Sequence, residues 1–106
     1  SNGSPKMLSG AVGAANIGAD LDAVLSVDAI RTYKPRPEVY RLVTDAFSLQ
    51  PADVAFVSSN RWDVMGAAAF GFRCVWVNRS GAPEEYPEFA PVAAVRDLSA
   101  LAALDL

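Results

Sequence analysis

Residues 54–77 read VAFVSSNRWDVMGAAAFGFRCVWV, and the pattern of this stretch decides the fold. Val54–Val57 is a continuous apolar run of the kind expected for a strand covered on both faces. Asp63–Phe70 is rich in Ala and stopped by Gly71, a residue that closes helices in the left-handed conformation. Cys74–Val77 is a second fully apolar run. Two short buried strands joined by one helix make a βαβ unit, with parallel strands and a right-handed crossover.

Working outward, Pro37–Leu49 places Val39, Leu42, Val43, Ala46 and Phe47 on one face of a helix. Ala23–Ile30 (AVLSVDAI) alternates, is partly β-branched and follows a turn at Asp20–Asp22, so a strand is expected there. Pro5–Ile17 has Pro in a helix-starting position and reads as a helix closed by Gly18. Pro51–Asp53 is a turn. Downstream, Gly81, Pro83, Pro87 and Pro91 mark Asn78–Pro91 as a loop, and Leu98–Leu104 reads as a short last helix. The alternation of helix and strand along residues 1–106 predicts one α/β domain with a parallel sheet flanked by helices.

Composition narrows the chemistry. The chain has 106 residues, 52% of them hydrophobic, which is enough for a core and too apolar for disorder. Nine Lys and Arg against twelve Asp and Glu give a net charge of −3 and no basic stripe, so neither nucleic acid nor an anionic membrane is an expected partner. A single cysteine, Cys74, forms no internal disulfide. No apolar run approaches the roughly 20 residues of a membrane span, and the expected location is the cytoplasm. With no His, a Ser-His-Asp triad and His-ligated zinc are excluded. Chemistry falls to Asp, Glu, Lys, Ser, Tyr or Asn.

In parallel sheets, ligands sit beyond the carboxyl ends of the strands. Ser58, Ser59, Asn60 and Asp63 follow VAFV, Asn78 and Arg79 follow CVWV, and Lys34 lies in the loop after Ile30. The opening Ser1-Asn2-Gly3 looks like a strand-to-helix loop whose strand is missing, and with Ser4 it suits an anion nest at a helix start. Each residue also has a plainer reading. Ser58, Asn60 and Asp63 suit helix capping, Lys34 suits a solvated surface, Tyr40 suits core packing, and Ser1-Asn2 suits the remnant of a cleaved purification tag.

The ordered set SNGSP, YKPRPEVY, VSSNRWDVMGAAAFGF and VNRSG, running into the Pro and aromatic residues of 83–91, resembles the C-terminal half of an L-2-haloacid dehalogenase core within the haloacid dehalogenase superfamily. The resemblance covers essentially the whole chain and reads Ser1-Asn2-Gly3 as native, matching the superfamily's second motif. It implies a partial Rossmann-like core, in which Ser1 and Asn2 bind the substrate carboxylate and Asn2 helps cradle the leaving halide. Lys34 would neutralise the crowded carboxylates. Ser58, Asn60 and Asp63 would hold Lys34 and the hydrolytic water, with Asp63 as base, and Tyr40 would lie near the substrate carboxylate. Ser58-Ser59 stands where the superfamily's phosphatases resembling this fold carry Gly-Asp, so the resemblance implies no metal and no cofactor.

The nucleophilic Asp, the halide-binding Arg and the cap of the family match nothing in these 106 residues. The implied partners are a small 2-haloacid, halide, the N-terminal part of the same enzyme and a second copy in a homodimer. The chain is expected to be inactive alone, with its sheet lacking a middle strand. A phosphatase of the superfamily and a non-enzymatic α/β module that binds a partner through its sheet edge are the competing expectations.

Overall fold

The computed structural model describes all 106 residues. Its central feature is a parallel sheet in the order β1-β2-β3, formed by β1 (Ala55–Ser58), β2 (Arg73–Val77) and β3 (Ala93–Val95). Phe56 aligns with Cys74 and Ser58 with Trp76 across the first pair. Val75 aligns with Ala93 across the second. The expected βαβ unit is therefore present, with α3 (Arg61–Phe70) as its crossover. Gly71 closes α3 at φ 113°, a conformation that Gly adopts without the Cβ penalty.

Two further helices precede the sheet. α1 (Pro5–Ala15) is started by Pro5 and capped by the Ser4 hydroxyl, which accepts from the Met7 amide. α2 (Pro37–Phe47) buries Val39, Tyr40 and Thr44 and packs against α3. The core lies between α2, α3 and the sheet, where Tyr40, Val64, Ala67, Phe72, Cys74 and Trp76 cluster. Tyr40 meets Phe56 and Phe72 edge-on at centroid distances of 5.7 and 5.9 Å, a geometry worth about 0.5–1.5 kcal/mol per pair beyond area burial. No helix is long and apolar enough to cross a membrane.

Four expectations are corrected. Ala23–Ile30 is not a strand. Residues 23–26 are irregular, and Val27–Ala29 is a short 3₁₀ turn. Two backbone bonds tie it to Ser1: the Ser1 nitrogen donates to the Leu25 carbonyl at 2.7 Å, and the Val27 amide donates to the Ser1 carbonyl at 3.0 Å. These two bonds do not make residues 23–30 a strand. α1 ends earlier than expected, at Asn16, which takes the left-handed role at φ 55° instead of Gly18. The last helix is 3₁₀, over Leu98–Ala103. β3 was not expected at all, and it is only three residues long. β1 pairs on one side alone and forms a sheet edge, where Val57 is 38% exposed.

Candidate active site

Three connections converge at the carboxyl end of β1. The β1-to-α3 turn delivers Ser58 and Asn60 and starts α3 so that Asp63 falls in its first turn. The Asp63 amide bonds back to the Asn60 carbonyl, which fixes that turn. The loop before α2 brings Lys34, and α2 itself brings Tyr40 from below.

Asp63 is the hub. It is 3% exposed, and a carboxylate so buried needs compensation for its lost hydration. Lys34 Nζ donates to Oδ2 at 2.9 Å, Ser58 Oγ donates to the same oxygen at 2.9 Å, and Tyr40 Oη donates to Oδ1 at 2.8 Å. Tyr40 Oη also lies 3.1 Å from the Asp63 carbonyl oxygen. Lys34 spans the boundary between core and cleft, with its side chain 19% exposed and its ammonium 5.2 Å from the centroid of the Phe56 ring. Burial, followed by the bond to Asp63, holds the Tyr40 phenol far above the ordinary tyrosine range. Its proton stays on, and Tyr40 serves as a fixed donor.

Asn2 joins this hub through the Lys34 backbone, whose amide donates to Asn2 Oδ1 at 2.9 Å. Ser1 Oγ accepts from the Gly3 amide at 3.1 Å, and Ser26 Oγ donates to the Gly3 carbonyl at 2.7 Å, so the Ser1-Asn2-Gly3 loop is tied from both sides. The Asn60 amide donates to Ser58 Oγ at 3.2 Å, but the Asn60 side chain caps nothing and stays exposed. The seven residues to which the resemblance assigns roles therefore lie in one neighbourhood, whereas Asn78, also a candidate past a strand end, instead ties the loop at Ala82. Tyr40 is the buried floor of that neighbourhood, and its hydroxyl is committed to Asp63.

Sequence reasoning missed Arg61. It is 5% exposed and staples the 84–89 loop to the start of α3. Its Nε donates to Glu84 Oε1 at 2.6 Å, and its Nη2 donates to the carbonyls of Tyr86 and Phe89, each at 2.8 Å. The guanidinium carbon lies 5.7 Å from the Trp76 ring centroid and 5.6 Å from that of Tyr86. Nη1 has no oxygen acceptor. A charge at a helix start carries no sequence signal that separates this staple from a solvated residue.

A lysine-carboxylate pair thus lies just beyond the carboxyl end of a parallel strand, the place where α/β sheets gather their ligand-binding residues. The model of the haloacid dehalogenase-like hydrolases matches residues 1–71, and the chain belongs to that family. It is 50% identical over 91 residues to (S)-2-haloacid dehalogenase 1 of Pseudomonas sp. strain CBS-3, covering 86% of this chain and 40% of the relative. It is 47% identical over 92 residues to (S)-2-haloacid dehalogenase 4A of Burkholderia cepacia, covering 87% and 39%. Among solved structures, the L-2-haloacid dehalogenase of Xanthobacter autotrophicus with chloropropionic acid covalently bound superposes with a TM-score of 0.85 at 37% identity, over 96% of this chain and 51% of the other. The chain thus spans about 40% of the length of the curated relatives it matches.

Proposed function

We propose that these residues form the C-terminal part of the catalytic core of an L-2-haloacid dehalogenase, a hydrolase that cleaves a carbon-halogen bond in the cytoplasm. The observation that carries this reading is the Asp63 hub, in which a single carboxylate is held by Lys34, Ser58 and Tyr40 beside neutral Ser59 and Asn60. The names of the relatives support it.

In this reading the nucleophile is an Asp carboxylate from the N-terminal part of the same enzyme. Its oxygen attacks C2 of the haloacid, the carbon-halogen bond breaks, and halide leaves with the electron pair. The resulting ester is hydrolysed by water to the 2-hydroxy acid of inverted configuration, and the carboxylate is regenerated. Ser1 and Asn2 hold the substrate carboxylate, and Asn2 also faces the halide. Lys34 offsets the charge of the nucleophile and of Asp63 together. Asp63 takes the proton of the hydrolytic water through a remaining lone pair, with Asn60 orienting that water. Tyr40, expected near the substrate carboxylate, acts through Asp63. Halide carries one charge and needs no divalent cation to leave, and Ser58 and Ser59 are neutral donors that suit Mg²⁺ poorly, so the reaction runs without metal or cofactor. The intact enzyme is a homodimer.

Complementation tests the reading. The chain alone should release no halide from L-2-chloropropionate, and co-expression with the N-terminal part of the Pseudomonas relative should restore EDTA-resistant release. Steady turnover by the chain alone would sink the proposed division of roles. A complemented enzyme that hydrolyses phosphate esters only with Mg²⁺ would establish the phosphatase reading instead.

A further inference from the structure

Gly66 sits in the middle of α3, three residues beyond Asp63 and on the same face of the helix. Gly at a helix centre is unfavourable relative to Ala, and its neighbours Ala67, Ala68 and Ala69 show that small helix formers are otherwise used here. The reason lies across the helix. A Cβ at Gly66 would stand 2.6 Å from Pro35 Cβ, 2.7 Å from Tyr40 Oη and 3.1 Å from Tyr40 Cε2. Neither neighbour is the free end of a flexible chain. Tyr40 Oη is held by the Asp63 carboxylate at 2.8 Å, and the Tyr40 ring is packed between Phe56, Phe70 and Phe72. Pro35 directly follows Lys34, whose ammonium meets Asp63 at 2.9 Å. α3 therefore approaches both holders of the hub at a distance that no side chain permits.

We propose that Gly66 is a positioning residue of this site: by leaving room for Tyr40 Oη and Pro35 against α3, it sets where Asp63 meets Lys34 and Tyr40. A methyl group there moves Tyr40 off Asp63, Lys34 away with Pro35, or both. It touches no reacting atom. The kinetic part of its test rests on the dehalogenase reading, while the structural part does not.

Gly66→Ala tests this in two settings. In the 106-residue chain, the Tyr40 hydroxyl proton, protected by its bond to Asp63, gives an NMR resonance that Tyr40→Phe identifies by its loss. The folded G66A chain should shift or lose that resonance, weaken the Lys34–Asp63 coupling read by a double-mutant cycle, or both, and an unchanged resonance together with an unchanged coupling would overturn the proposal. Should G66A not fold, G66A/Y40F removes the oxygen that the new methyl meets, and G66A/P35G removes the other atom that it meets. Recovery of folding in either supports the collision, and failure of both to recover overturns it. In the complemented enzyme, G66A should lower kcat at least tenfold with KM changed less than threefold. G66A/Y40F should lose less than the product of the two single losses. Full multiplicativity of the losses would overturn the proposal. Absence of halide release from the wild-type complemented enzyme would defeat the dehalogenase reading and leave the resonance and the coupling to decide the role of Gly66.

Discussion

Lys34 and Asp63, 29 positions apart in sequence, meet at 2.9 Å between the loop before α2 and the first turn of α3. The carboxylate side is buried while the ammonium side keeps 19% of its surface, so the pair is intermediate between a surface ion pair and a fully buried one. Removing one partner leaves a poorly solvated charge on the other.

Asp63→Asn should therefore destabilise the chain by about 2–3 kcal/mol, below the 3–5 kcal/mol of a fully buried pair because Lys34 retains access to water. Lys34→Met should cost less, since Ser58 and Tyr40 still donate to Asp63. A double-mutant cycle in urea should give a coupling of about 1 kcal/mol or more. A coupling near zero would mean that the pair contributes nothing to folding.

Stability should fall in alkali with a sign set by two buried acids. Burial pushes the Cys74 thiol from 9.0 to about 11, and burial with the Asp63 bond raises the Tyr40 phenol further. Both folded values lie above the unfolded ones, so below about pH 9 neither group changes the balance. As pH rises past the unfolded values, the unfolded chain loses protons that the native chain keeps. Unfolding then becomes easier by up to about 1.4 kcal/mol per pH unit for each group. Cys74→Ala should flatten the pH profile between about 9 and 11, and Tyr40→Phe should flatten it above about 10. Chemical denaturation at stepped pH reads both effects.

The contrast between Ala23–Ile30 and Val54–Val57 shows what sequence makes legible. Both runs suit a strand, but a strand exists only where a ladder is offered. VAFV has β2 beside it, whereas AVLSV has only two backbone bonds to Ser1. β3 escaped notice because Ala93–Val95 is short and follows a Pro-rich loop, so nothing in its residues announces pairing. The site was more legible than the sheet. Lys34, Ser58 and Asp63 stand just past strand-like runs, where parallel sheets gather function. Arg61 and Gly66 were not legible, because their roles depend on what crosses their helix from 23 or more residues away: Glu84 and Tyr86 for the first, Pro35 and Tyr40 for the second.

The outer edge of β1 carries unpaired backbone groups beside exposed Val57, and such edges template further pairing. The purified chain should associate with rising concentration in sedimentation velocity. Val57→Lys should suppress association by placing a charge on the edge, while the same change at Val92, which is also exposed but lies outside the strands, should have little effect. Equal effects at both positions would assign the association to general surface hydrophobicity.

Arg61 gives the sharpest distinction between charge and geometry. Its staple uses three directed hydrogen bonds from one planar fork, to a carboxylate and two carbonyls, with the Trp76 and Tyr86 rings close by. Lysine keeps the charge but supplies no fork. Arg61→Lys should therefore behave nearly as Arg61→Ala, each costing about 3 kcal/mol through orphaned partners in a buried setting. Glu84→Gln should be the milder change, because the two carbonyl bonds and both ring contacts survive. Once Arg61 is replaced, residues 84–89 lose their hold on α3 and should become the first site cut in limited proteolysis. Cutting elsewhere first would show that the loop is held by its own prolines, and rescue by Arg61→Lys would show that charge alone accounts for the staple.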